Sequence, residues 1–111
     1  MLYNNTVMER IDDLQYENLK IIQNKDGFCF GIDSVLLANF VESNSSNNVI
    51  VDLCSGSGVI PVILSQKKKF KQIYGVELQK EMYELLKRNI SINSLEKEII
   101  AINSNIKEFR P

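Results

Sequence analysis

Hydrophobic and polar positions fall into two regimes along this chain, and the change comes near residue 49. Ahead of it, apolar residues come in short runs broken by polar and charged ones. Residues 1–16 are mostly polar and read as irregular or loosely ordered at their start. Residues 19–23 (Leu-Lys-Ile-Ile-Gln) form a short β-prone run. The segment Asn24-Lys25-Asp26-Gly27 follows, and its Asp-Gly pair is a strong turn signal. Phe28-Cys29-Phe30 alternates as a second strand would, so the pattern predicts a β-hairpin on the N-terminal side. Asp33 then reads as a helix N-cap, with Val35, Leu36, Leu37, Phe40 and Val41 as the apolar stripe behind it. The polar run Ser43-Asn44-Ser45-Ser46-Asn47-Asn48 ends that helix in a loop.

From Val49 the pattern alternates between strand and helix. Val49-Ile50-Val51 is a continuous apolar run of the kind that lies in a buried parallel sheet. Residues 59–66 make a short helix, with Pro61 in its first turn, where proline is tolerated. Residues 73–76 are a second strand and residues 99–102 a third. Between them, residues 80–93 form a helix with Met82, Leu85, Leu86 and Ile90 on one face. The order is βαβαβ, and the handedness of crossover connections makes it right-handed with three parallel strands. The expected fold is therefore α/β, a partial three-stranded parallel sheet preceded by a β-hairpin and a helix. Its expected divisions are 1–31 for the N-terminal extension and hairpin, 32–48 for helix and loop, and 49–111 for the βαβαβ half.

Composition narrows this picture without redirecting it. A chain of 111 residues accommodates one domain, and a hydrophobic fraction of 44% is ordinary for a globular one. The formal charge of −1 argues against binding nucleic acid through overall charge, though it leaves room for a local basic patch. No apolar run is long enough to span a membrane, and residues 1–13 are not of signal-peptide type. Cys29 and Cys54 make no disulfide framework, so the cytoplasm is the expected compartment. The chain has no histidine, which removes the commonest metal ligand and general base.

The candidate chemistry sits at the carboxyl ends of the predicted parallel strands. Val51-Asp52-Leu53 runs into the turn Cys54-Ser55-Gly56-Ser57-Gly58. Gly56 and Gly58 let the backbone pass close to a ligand, and the next helix presents free N–H groups. A dinucleotide site would need a third glycine further on, but Pro61 stands there, with side-chain bulk and no N–H. Asp52 places a carboxylate near a cationic or amine-bearing ligand. Glu77 follows the second strand, 19 residues past Gly58, where a carboxylate can accept from both ribose hydroxyls. Gly75 leaves room on the ligand side of the sheet. After the third strand, Asn105 can meet an adenine amino group and the N–H of Ile106 a ring nitrogen. Asp52 alone could cap a helix, and Glu77 alone could be a solvated loop carboxylate. Their order around a glycine turn points instead to S-adenosylmethionine, which carries a sulfonium, an amine and a carboxylate but no phosphate. The run Lys67-Lys68-Lys69-Phe70-Lys71 reads as the solvated end of a helix, with RNA contact as the alternative. Cys54 reads as a small packing residue.

At these residues the sequence resembles a class I, Rossmann-like methyltransferase. Asp52 to Gly58 is similar to its motif I, and Glu77 to the acidic residue of its motif II. Residues 14–23, Asp26-Gly27-Phe28, residues 30–38 and residues 104–108 together resemble the bacterial tRNA1(Val) adenine-37 N6-methyltransferase family, from about residue 12 to residue 110. The resemblance implies S-adenosylmethionine as cofactor, S-adenosylhomocysteine as product and tRNA as substrate. It implies a cofactor site of Asp52, Leu53, Gly56, Gly58, Glu77, Leu78, Asn105 and Ile106, with Asn105 where the family usually has aspartate. The same family carries Asn-Pro-Pro-Tyr after a fourth strand, which holds the flipped target base. No Asn-Pro dipeptide occurs in these 111 residues. The expectation is a truncated domain that binds the cofactor weakly, does not methylate, and tends to self-associate through an exposed first parallel strand. A nucleotide- or partner-binding module without catalysis, or a methyltransferase for protein or a small molecule, are the alternatives.

Overall fold

Val49-Ile50-Val51-Asp52-Leu53 is rich in β-branched residues and forms a parallel strand whose turn delivers the chain directly into a helix. This is how the second half is built in the computed structural model, which describes residues 3–4, 9–14, 19–24, 34, 37–38, 40–41, 47–67, 70–105 and 107–108. Its elements, in chain order, are β1 (Tyr3–Asn4), β2 (Glu9–Asp13), β3 (Lys20–Asn24), β4 (Val49–Leu53), α1 (Val59–Lys67), β5 (Gln72–Glu77), α2 (Lys80–Ile92) and β6 (Ile99–Asn103). Ser34, Leu37, Ala38 and Phe40 also have helical backbone.

The parallel sheet has the order β4-β5-β6, as the alternating pattern required. Its register sets Asp52 beside Gly75 and Glu77 beside Asn103, so the polar strand ends gather on one edge of the layer. Helix α1 is apolar almost all round, and Val59, Pro61, Val62, Ile63 and Leu64 are buried, as such a helix demands. Helix α2 is amphipathic: Leu85, Leu86, Asn89 and Ile90 are buried while Lys80, Glu81, Glu84, Lys87 and Arg88 are exposed. Leu86 and Ile90 join Val59, Val62, Ile63, Leu64, Ile73 and Ile99 in one core, to which Leu19 and Ile21 of the N-terminal half contribute.

The N-terminal half departs from its sequence pattern. Residues in the stretch 1–16, expected to be irregular, supply β1 and β2 of an antiparallel sheet ordered β1-β2-β3. Glu9-Arg10-Ile11-Asp12-Asp13 has little intrinsic strand preference. Its charges are matched in place instead. Arg10 pairs with Asp12 at 2.8 Å, Lys20 with Asp13 at 2.8 Å, and Arg88 of α2 with Glu9 at 2.6 Å. The hairpin is thus N-terminal, but the described partner of β3 is β2, with Ile11 opposite Ile22. Phe28-Cys29-Phe30, the turn at Asp26-Gly27 and the Asp33 cap lie outside the described residues. The stripe drawn through Leu37 and Phe40 is also corrected. Those two are 56% and 79% exposed, whereas Ala38 is fully buried and Val41 packs on the core. Ala38 and Val41 are three residues apart and so share a different helical face from Leu37 and Phe40.

Candidate functional site

At the carboxyl end of β4 the chain must turn out of the sheet and start α1 within five residues. Three of those residues adopt positive φ: Cys54 at 61°, Gly56 at 58° and Gly58 at 94°. A Cβ on Gly58 would lie 2.5 Å from Leu86 Cδ1, so this position needs glycine for both its backbone and its space. Cys54 is exposed, not packed as expected, because its left-handed backbone turns it out of the sheet. Gly75 also serves a purpose other than the expected one. The room it leaves is taken by Ser55, whose Oγ would be 2.9 Å from an added Cβ. The gap therefore seats the turn on β5.

Hydrogen bonds from the neighbouring strands hold the turn. Ser55 donates its N–H to Val76 O at 2.9 Å and its hydroxyl to Asp52 Oδ2 at 2.7 Å. Gly56 donates its N–H to Glu77 Oε1 at 2.8 Å, and the second oxygen of that carboxylate accepts from the N–H of Gln79 at 3.0 Å. Glu77 is only 8% exposed, so it is no solvated loop carboxylate. It ties the glycine turn to the start of α2. Each of its oxygens keeps a second lone pair for a further donor. Asn103 secures the segment after β5, donating from Nδ2 to Glu77 O at 2.9 Å and Leu78 O at 3.0 Å.

Asp52 is the electrostatically unusual group. Burial pushes its carboxyl above the ordinary value of 3.8; the Ser55 hydroxyl works against that, and the nearby negative charge of Glu77 adds to it. A half-buried carboxylate whose hydrogen-bonding neighbour is a neutral hydroxyl, with a second carboxylate close by, suits a cationic ligand.

A cavity of about 150 Å³ opens beside these groups, with Asp52, Ser55, Gly56, Ser57, Met82 and Ser34 among its lining residues. Of the eight residues expected from the sequence, Asp52 and Gly56 line it, and Glu77 lies behind it, bonded to the Gly56 N–H. Gly58 shapes the turn behind it. Leu53 and Leu78 lie at strand ends and are 47% and 63% exposed. Asn105 is exposed, and its Oδ1 accepts the N–H of Lys107 at 2.9 Å. Ile106 lies outside the described residues. Ser34, Ser55 and Met82 were not anticipated. Only Ser55 had a signal, its place inside the turn. A larger hollow of about 590 Å³ opens at the amino ends of the strands, near Lys71 and Glu98. It contains neither the glycine turn nor a buried carboxylate, and open parallel sheets bind ligands at the opposite edge. Among the described residues no group of acidic or cysteine side chains could hold a metal, and no helix is long and apolar enough to cross a membrane.

A parallel βαβαβ layer with an acidic residue at each of its first two strand ends and a glycine turn after the first is a Rossmann-like arrangement. The chain belongs to the TRM5/TYW2 methyltransferase domain family, whose model matches residues 36–111. It is 37% identical over 71 residues to the tRNA (guanine(37)-N(1))-methyltransferase Trm5b of Methanocaldococcus jannaschii, covering 64% of this chain and 20% of that protein. It is 24% identical over 95 residues to the tRNA1(Val) (adenine(37)-N6)-methyltransferase of Flavobacterium johnsoniae, covering 86% of this chain and 40% of that protein. The matched stretch thus spans well under half of either relative. In fold it is similar to M. jannaschii TYW2, solved in complex with AdoMet, with a TM-score of 0.77 at 22% identity over 98% of this chain and 48% of the other.

Proposed function

We propose that this chain is the S-adenosylmethionine-binding part of a tRNA methyltransferase acting on a purine. The observation that carries the reading is the convergence of Asp52, Gly56 and Glu77 on one turn, inside a methyltransferase family domain. When bound, the cofactor supplies an electrophilic methyl group on a sulfonium. The chain's own residues bind and orient it. Asp52 offers a desolvated carboxylate to its cationic portion, and the backbone at Gly56 and Gly58 allows close approach. Glu77 holds the Gly56 N–H and has lone pairs left for ribose hydroxyls. Leu53, Leu78 and Asn105 are proposed to border the site, and Ile106 to offer its N–H to the adenine ring. Such transfer depends on positioning more than on acid–base chemistry, which fits a site without histidine.

Within this reading the target is adenine N6, supported by the relative matched over 86% of the chain. Guanine N1 is the second reading, supported by the higher identity to the guanine-modifying relative. On the adenine reading, these 111 residues supply the cofactor site and not the Asn-Pro-Pro-Tyr segment that presents the amine. The expected outcome by calorimetry is weak binding of S-adenosylmethionine and S-adenosylhomocysteine and none of NAD. Glu77→Gln should raise the Kd by about tenfold or more, since it sets an amide N–H against a backbone N–H. Binding of NAD in preference to S-adenosylhomocysteine would overturn the cofactor reading. Methyl transfer to tRNA by the chain alone would overturn the division of labour.

A further inference from the structure

A fully buried polar side chain whose amide is bonded at both ends lies outside the cavity. Asn89, on the buried face of α2, is 0% exposed. Its Oδ1 accepts the N–H of Ile22 at 2.5 Å, and its Nδ2 donates to Ile22 O at 3.0 Å. The second Nδ2 proton goes to Ser57 O at 2.7 Å, within the glycine turn. The reverse orientation of the amide would set Oδ1 against two carbonyl oxygens, so these partners fix the side chain. Four residues on, Asn93 repeats the first half of the arrangement. Its Oδ1 accepts the N–H of Lys20 at 2.8 Å and its Nδ2 donates to Lys20 O at 2.7 Å. Its remaining donation, however, goes to Asn89 O at 2.8 Å, within the helix itself.

The repeat is dictated by geometry. Four helical residues rise about 6 Å and two strand residues about 6.7 Å, so side chains one turn apart on α2 meet alternate residues of β3. Alternate residues of a strand turn their N–H and C=O to the same edge. The edge of β3 facing away from β2 is thereby bonded by two side-chain amides. Only one of them reaches on to the turn.

We propose that Asn89 is a positioning residue for the cofactor turn, coupling the seating of the N-terminal antiparallel sheet to cofactor binding. The inference rests on the cofactor reading above. Ser57 sits between the two glycines; the Gly58 N–H already bonds Ser55 O at 3.0 Å, and the Asn89 amide at the Ser57 carbonyl holds the other end of that peptide plane from outside the turn. Because coupling is reciprocal, a ligand that orders the turn must also tighten α2 onto β3.

Asn89→Asp and Asn93→Asp form a matched pair. Each keeps an acceptor for the strand N–H and loses its donors, but only the first removes a bond to the turn. Asn89→Asp is expected to raise the Kd for S-adenosylhomocysteine by about tenfold, and Asn93→Asp by less than about twofold, although both lower the melting temperature. In the unaltered chain, S-adenosylhomocysteine should slow amide hydrogen exchange at Ile22. Equal effects of the two variants on Kd, or Ile22 exchange indifferent to ligand, would overturn the coupling while leaving the cofactor site standing. If Asn89→Asp does not fold, the Ile22 exchange decides alone. An unaltered chain that does not bind S-adenosylhomocysteine removes the cofactor reading, and the coupling with it.

Discussion

Gly58 and Asp52 lie six residues apart and make opposite demands on the chain. Gly58 holds a φ of 94° with Leu86 against its Cα hydrogens. Gly58→Ala should destabilise the fold by about 2 kcal/mol, from strained backbone and a displaced leucine, as read by chemical denaturation. Asp52 costs stability when ionised. Its carboxyl titrates above 3.8 in the fold, so the folded chain keeps the proton to higher pH than the unfolded chain does. Stability from this group is greatest below 3.8 and falls as pH rises through the window up to the raised value, then levels. Asp52→Asn should flatten that fall in a series of melting curves. A bound sulfonium favours the ionised form, so affinity for S-adenosylmethionine should rise with pH across the same window in the unaltered chain and stay level in the variant. At this scale the sequence pointed to the turn and the two carboxylates that the structure brings together. It did not reveal Asn89 or Asn103, whose partners lie 67 and 26 positions away and leave no local pattern.

Among the elements, legibility followed the source of each one's stability. Strands β4 to β6 and helices α1 and α2 are shaped by apolar periodicity, and their bounds fall within a residue or two of those expected. Strand β2 is shaped by charges whose partners are on β3 and α2, and so its own pattern hid it. The helical residues before β4 show the limit of counting apolar positions. Leu37 and Phe40 suggested a buried stripe, but the small Ala38 allows the close approach. Strand β4 carries a further consequence. It is an edge of the described parallel sheet, and its Val49 and Leu53 are about half exposed. An apolar edge of this kind recruits further strands. Light scattering should register concentration-dependent association. Val49→Lys, which places a charge at that edge, should reduce it; a monomer at every concentration would count against the edge as a contact.

For the whole molecule, the N-terminal sheet and the parallel layer meet along α2, which carries the core leucines, the Arg88–Glu9 pair and the two asparagines on neighbouring faces. Bringing these together depends on contacts between residues about 70 apart in sequence, so the arrangement becomes evident only once the chain has folded. The asparagine amides have one more consequence, for how copies of the chain can meet. A strand edge whose N–H and C=O groups are already matched by side chains cannot template a neighbour. At β3 this blocks runaway stacking without proline or bulge. If association is an open-ended hazard for this protein, Asn89 and Asn93 have closed one of the edges where it could begin.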